Sequence, residues 1–138
     1  MTSSSSDPAG AVDAPLRTIL LVEDAVLVRM VTVDALQDLG FRVEEAASAR
    51  EALGKVGLLD GRIEAAIIDV GLPDRPGDAL AAELRARFAR LPIVIASGYS
   101  DSFRAGLDRD ELVGFLGKPY DSEQLATLLR RLGVRMRG

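Results

Sequence analysis

Four short stretches of this chain are apolar at consecutive positions: Thr18–Val22 (TILLV), 65–68 (AAII), 92–96 (PIVIA) and 112–116 (LVGFL). A strand with one wet face alternates. A run without alternation predicts a strand covered on both sides, as in a parallel sheet. Residues 41–46 (FRVEEA) do alternate, through Phe41, Arg42, Val43 and Glu44, and predict an edge strand with one solvent face. Helical patterns fill the gaps. Leu27, Met30, Val31, Val33 and Leu36 fall in a first predicted helix that ends at Gly40. Ser48 is the expected cap of a second, running through Leu53 and Val56, and Asp78 that of a third, with Leu80, Leu84 and Phe88 on one face. Asp121 and Gln124 form a capping box before a stripe of Leu125, Leu128, Leu129 and Leu132, which Gly133 closes. Residues 100–111 (SDSFRAGLDRDE) carry the poorest pattern, and only a short or mobile helix is expected there.

Strict alternation of strand and helix predicts an α/β fold with right-handed crossovers. With residues 41–46 at the edge, it is a flavodoxin-like (βα)5 three-layer sandwich. Its parallel five-stranded sheet then takes the order 2-1-3-4-5. Residues 1–15 are mostly Ser, Asp, Ala, Gly and Pro and read as a disordered tail. The folded domain is expected over 16–134, with 135–138 a short C-terminal tail.

The chain has 138 residues, nearly half of them hydrophobic, which suits one domain with its own core. It has neither Cys nor His. Disulfides, thiolate metal sites, Ser-His catalysis, His-ligated zinc and a phosphohistidine carrier built on this chain are therefore excluded. The net charge of −4 gives no basic bias toward nucleic acid. The longest apolar runs are roughly half a membrane span, and the start lacks the basic and apolar regions of a signal peptide. A cytoplasmic protein without direct nucleic-acid or membrane contact is expected.

In such sheets ligands bind beyond the carboxyl ends of the strands. There the first apolar run is followed by Glu23 and Asp24, the third strand ends at Asp69, the fourth at Ser97, and the fifth leads to Lys118. Crowded carboxylates repel by roughly 4 kcal/mol at ~4 Å in a surface-like dielectric. A hard cation such as Mg²⁺ relieves this, and Lys118 adds a second positive charge. Acids facing a hydroxyl and an ammonium make a candidate phosphoryl site, in which a carboxylate can be the nucleophile. Each residue also has an ordinary reading. Asp69 alone suits an Asx-turn. Glu23 and Asp24 favour a helix N-terminus, and Lys118 suits a solvated surface. Four separate strand ends supplying the right types outweigh these readings together. The chain has only two lysines against fifteen arginines, and one of the two stands at this rim.

This ordered set resembles the receiver domains of two-component response regulators. Pro73 and Gly77 follow Asp69 by four and eight residues, as in the family's phosphorylation loop, and Lys118-Pro119-Tyr120-Asp121 leads into the last helix. The resemblance implies that Asp69 accepts a phosphoryl group from a sensor histidine kinase or a histidine phosphotransfer protein. It implies that Asp24, Glu23, Asp69 and the backbone carbonyl of Gly71 hold Mg²⁺ or Mn²⁺. Ser97 and Lys118 would engage the phosphoryl group, and the Lys118-Pro119 peptide would be cis. Ser97, Phe115 and Tyr99 would form the switch, read out on the face of the fourth helix, fifth strand and fifth helix. A downstream protein target, or a homodimer, would use that face. Phe115 is as well explained by core packing. Such a protein is no enzyme beyond its own phosphorylation and dephosphorylation.

The rival readings are a pseudo-receiver adaptor that never carries phosphate, an Asp-nucleophile phosphatase and a flavin-binding protein. The phosphatase wants an acid where Gly71 stands. The flavin protein wants a phosphate cradle where Glu23 and Asp24 stand. The four Arg of 129–138 (LRRLGVRMRG) read as a solvated helix end. No helix-turn-helix fits there, so a standalone chain acting through partners is expected.

Overall fold

The computed structural model describes residues 17–59, 62–98 and 107–136. Five strands, β1 (Thr18–Val22), β2 (Arg42–Ala46), β3 (Ala65–Asp69), β4 (Ile93–Ser97) and β5 (Val113–Gly117), pair in parallel in the order β2-β1-β3-β4-β5. Among the described residues four α-helices cover the sheet: α1 (Val26–Asp38), α2 (Ala49–Leu59), α3 (Gly77–Arg87) and α4 (Ser122–Arg131).

The strands' lack of alternation is explained by two cores. On one face Leu20, Val22, Ala66, Ile68, Ile93 and Ile95 meet Ala52 and Val56 of α2 and Leu80 and Leu84 of α3. On the other face Ile19, Leu21, Ala65, Ile67 and Val94 meet Leu36 of α1 and Leu125, Leu128 and Leu129 of α4. Neighbours along each strand thus enter opposite cores, so both must be apolar. Each fully buried Ile or Leu contributes about 1.5–3 kcal/mol. The order leaves two edges. β2 is an edge strand, as expected, but its exposed residues Arg42 and Glu45 lie on opposite faces, so neither face is wholly wet. β5 is also less covered than its run implied, since Phe115 and Leu116 are half-buried and Gly117 is exposed.

Local chemistry sets the helix ends. Gly40 and Gly133 adopt φ of 96° and 94°, a left-handed turn that favours glycine. At each, the residue beyond the glycine closes the helix: Phe41 N–H donates to the Leu36 carbonyl and Val134 N–H to that of Leu129. Both halves of the Asp121–Gln124 capping box are formed. Ser48 Oγ accepts from Glu51 N–H at 3.1 Å. The other free donors of α2 are taken by Asp74, from the loop after β3, whose carboxylate accepts from Ala49 at 2.9 Å and Arg50 at 2.8 Å. These two backbone donors hold the exposed Asp74 carboxyl below its ordinary pKa.

One expectation is corrected, and another falls mostly outside the described residues. Asp78 does not cap α3: it is the second helical residue and buried, and Pro76 occupies the cap position without a side-chain bond. The helix starts earlier because Pro76 presets its φ and Gly77 N–H donates to the Val70 carbonyl at 2.8 Å. The fourth predicted helix, in residues 100–111, falls largely on 100–106, outside the described residues. Its described end is a 3₁₀ turn, Leu107–Arg109.

That turn is tied to α3. Asp110 accepts from Arg85 Nε at 2.5 Å and from Leu112 N–H at 2.9 Å. Burial raises the Asp110 pKa, but the Leu112 and Arg85 hydrogen bonds and the Arg85 charge outweigh it, so the carboxyl lies below its ordinary value. The lowered pKa stabilises the fold above an unfolded-state value of about 3.9. That stability is lost as pH falls through the folded value. Asp110→Asn is therefore expected to cost up to about 1 kcal/mol at pH 7. Urea unfolding repeated at pH 7 and pH 3 should find a smaller difference from wild type at pH 3.

Candidate functional site

The register of the sheet brings the site together. Asp69 lies opposite Ala96, and Ser97 lies opposite Gly117, so the strand ends are nearly level. Glu23 follows β1 directly, and its N–H donates to the Ala46 carbonyl at 2.9 Å, extending the ladder by one step. Lys118 follows β5 and donates its N–H to the Ser97 carbonyl at 2.8 Å.

The side chains then converge. One carboxylate oxygen each from Glu23, Asp24 and Asp69 lies within 4.8 Å of the others. The Lys118 ammonium donates to Asp69 Oδ1 at 2.7 Å and pairs with Glu23 Oε1 at 2.9 Å. Glu23 Oε2 accepts from Ala25 N–H at 3.1 Å. Glu23 and Asp69 are buried, whereas Asp24 is exposed. Burial pulls the Lys118 pKa down, but its hydrogen bonds to Asp69 and Glu23 and their charges leave it above the ordinary lysine value. The amine is thus a fixed cation at neutral pH. Three carboxylates with one reaching solvent form a hard-oxygen donor set that suits Mg²⁺ or Mn²⁺.

Gly71 lies beside the cluster: a Cβ there would stand 3.6 Å from Asp69 Oδ2. Its loop is held by Val70 N–H to the Ala96 carbonyl, by buried Leu72 and by Asp74 on α2. Ser97 ends β4 and Phe115 lies half-buried on β5 against the α2–α3 core. Tyr99 lies outside the described residues. The Lys118-Pro119 peptide is cis.

Three features were missed in the sequence. Arg29 donates from Nη1 to the Glu23 carbonyl at 2.8 Å. Thr32 and Tyr120 share a 3.0 Å hydroxyl hydrogen bond that ties α1 to the loop after Lys118. Burial pushes the Tyr120 hydroxyl pKa up, only partly opposed by that bond. The third is an apolar flank, with Leu27, Met30 and Val31 of α1 largely exposed. Leu27 and Val31 border a cavity of about 300 Å³ that reaches Thr32, Lys118, Pro119 and Tyr120. A larger cleft of about 590 Å³ lies away from the acids, among residues that precede β3, β4 and β5. No helix among the described residues is long and apolar enough to cross a membrane.

The profile of the response regulator receiver domain matches residues 19–130. Sensor kinase CckA of Brucella abortus is 41% identical over 116 residues, which are 83% of this chain and 12% of that protein. The transcriptional regulatory protein PhoP of Escherichia coli O157:H7 is 29% identical, over 87% of this chain and 53% of its own length. The chain thus spans a small part of the first relative and about half of the second. Among solved structures, the receiver domain of the hybrid histidine kinase CckA has TM-score 0.70 and 32% identity, covering 83% of this chain and 97% of that one. Chemotaxis response regulator CheY4 of Vibrio cholerae has TM-score 0.71 and 29% identity, covering 86% and 99%.

Proposed function

This chain belongs to the response regulator receiver domain family of two-component systems, and from that premise we propose that it accepts a phosphoryl group on Asp69 and signals by protein–protein contact. The observation that carries the proposal is the Lys118 ammonium, hydrogen-bonded to Asp69 and paired with Glu23 in the presence of a third acid. A pseudo-receiver has no need of a half-buried cation aimed at the acceptor oxygen.

In the proposed reaction an Asp69 carboxylate oxygen attacks phosphorus. The P–N bond of the donor phosphohistidine breaks and the imidazole leaves, while an acyl phosphate forms. A bound Mg²⁺ or Mn²⁺, held by Asp24, Asp69, Glu23 and the Gly71 carbonyl, would supply charge neutralisation for the phosphoryl oxygens. Lys118 pairs with another of those oxygens, and Ser97 donates its hydroxyl to them. The donor is a sensor histidine kinase or a histidine phosphotransfer protein. It docks where exposed Leu27, Met30 and Val31 flank the site. Residues 16–134 form the receiver unit. Ser97 and Phe115, with Tyr99, relay the change to β5 and α4, the face for a downstream protein or a second copy. The chain catalyses only its own phosphorylation and dephosphorylation, in the cytoplasm.

The test is incubation with a small phosphodonor, with and without Mg²⁺, followed by intact-mass measurement. Wild type should gain one acid-stable, base-labile phosphoryl group only with Mg²⁺, and Asp69→Asn none. Modification that persists in Asp69→Asn would move the acceptor elsewhere, and none in wild type would favour the pseudo-receiver.

A further inference from the structure

β1 ends at Val22, so the two acids that follow it lie in a turn without regular pairing. Glu23 is nevertheless bound at every polar atom. Its N–H goes to the Ala46 carbonyl, and its two carboxylate oxygens go to Lys118 and to Ala25 N–H. The remaining atom is the Glu23 carbonyl, half of the peptide that leads into Asp24. Arg29, one turn into α1, donates to it from Nη1 at 2.8 Å. The same guanidinium is braced from the other side by Glu45 of β2, Nε to Oε1 at 3.2 Å. Its side chain is only 21% exposed.

We propose that Arg29 is the positioning residue of the acid pair: its fork, braced on Glu45, fixes the Glu23–Asp24 peptide and so holds the Asp24 carboxylate within reach of Asp69. The orientation of that peptide plane sets the direction in which the Asp24 side chain leaves the backbone. Asp24 itself is exposed, and among the described residues no side chain donates to its carboxylate. The inference rests on the metal-assisted reading above, because a preset Asp24 matters only to a ligand shared with Asp69.

Position and charge predict opposite signs here, which makes the role testable. Arg29 is a cation near a cation site, so by charge alone its loss tightens metal binding. By position, its loss frees Asp24 and weakens binding. Lysine keeps the charge but is a point donor and cannot reproduce the fork. The experiment is Mn²⁺ binding to the full chain, followed by electron paramagnetic resonance, in wild type, Arg29→Gln and Arg29→Lys, with Tm measured for each. Both variants are expected to bind Mn²⁺ about tenfold more weakly, the usual size of an outer-shell loss. Unchanged binding in Arg29→Lys with tighter binding in Arg29→Gln would overturn the proposal in favour of charge alone. If Arg29→Gln does not fold, Arg29→Lys decides by itself: weaker binding supports the clamp and unchanged binding removes it. Absence of Mn²⁺ binding in wild type would instead bring down the metal-assisted reading, and this inference with it.

Discussion

Lys118→Met is expected to slow phosphoryl transfer to Asp69 from a small donor by about 100-fold or more, the cost of removing one preorganised charge partner from a transferring group. The basis is the ammonium already aimed at Asp69 Oδ1, 2.7 Å away, before any phosphoryl group arrives. No reorganisation is needed at the moment of reaction. The same substitution removes the cation from beside three carboxylates whose oxygens lie within 4.8 Å. Their mutual repulsion is then no longer offset by the ammonium. Part of that repulsion should appear as lower stability in metal-free buffer and be recovered on adding Mg²⁺. Intact-mass time courses read the rate, and urea unfolding with and without Mg²⁺ reads the coupling. A variant that is phosphorylated as fast as wild type would show that Lys118 is only a surface ion pair.

Gly77→Ala is expected to destabilise the fold by about 3 kcal/mol, the upper range for forced overpacking. A Cβ at this position would stand 2.1 Å from the Asp69 carbonyl oxygen and 2.8 Å from Val70 Cα. Both are backbone atoms of the acceptor segment. Val70 is anchored through its N–H to Ala96 and its carbonyl to Gly77 N–H, so neither can yield alone. Gly114→Ala is the control. There the Cβ would meet side-chain atoms alone, Leu128 Cδ1 at 2.6 Å and Cγ at 3.1 Å, rather than fixed backbone. The Gly77 change should therefore cost clearly more and should also slow acceptor phosphorylation, whereas the Gly114 change should cost less and leave the rate unaltered. Equal costs by urea unfolding would mean that the loop between Asp69 and α3 is softer than its hydrogen bonds imply.

Much of this architecture was legible before any coordinates. β1 falls on the run that announced it, and β3, β4 and β5 are displaced by a single residue at one or both ends. The capping box at Asp121 and the glycine stops at Gly40 and Gly133 were legible because their bonds close within a few residues. The cap of α2 was only half legible, since Ser48 is local but Asp74 reaches its donors across 25 and 24 positions. α1 shows a different limit. Leu27, Met30 and Val31 carry helical spacing, yet they face solvent, while Thr32 and Leu36 are buried. A period says that a helix has an apolar side; it does not say whether that side meets this sheet or another protein.

The chain alone determined five buried or edge strands, their alternation with helices, and which residue types stand at each carboxyl end, because periodicity and turn chemistry act over a few neighbouring positions. Tertiary structure decided the rest. It set the parallel register that levels Asp69 with Ser97, the Lys118 ammonium bridging two buried acids, and the Arg29 fork on the Glu23 carbonyl. The first two join groups tens of residues apart, and the third joins a helix to the turn before it. They depend on how two cores pack on opposite faces of one twisted sheet, which no local pattern encodes.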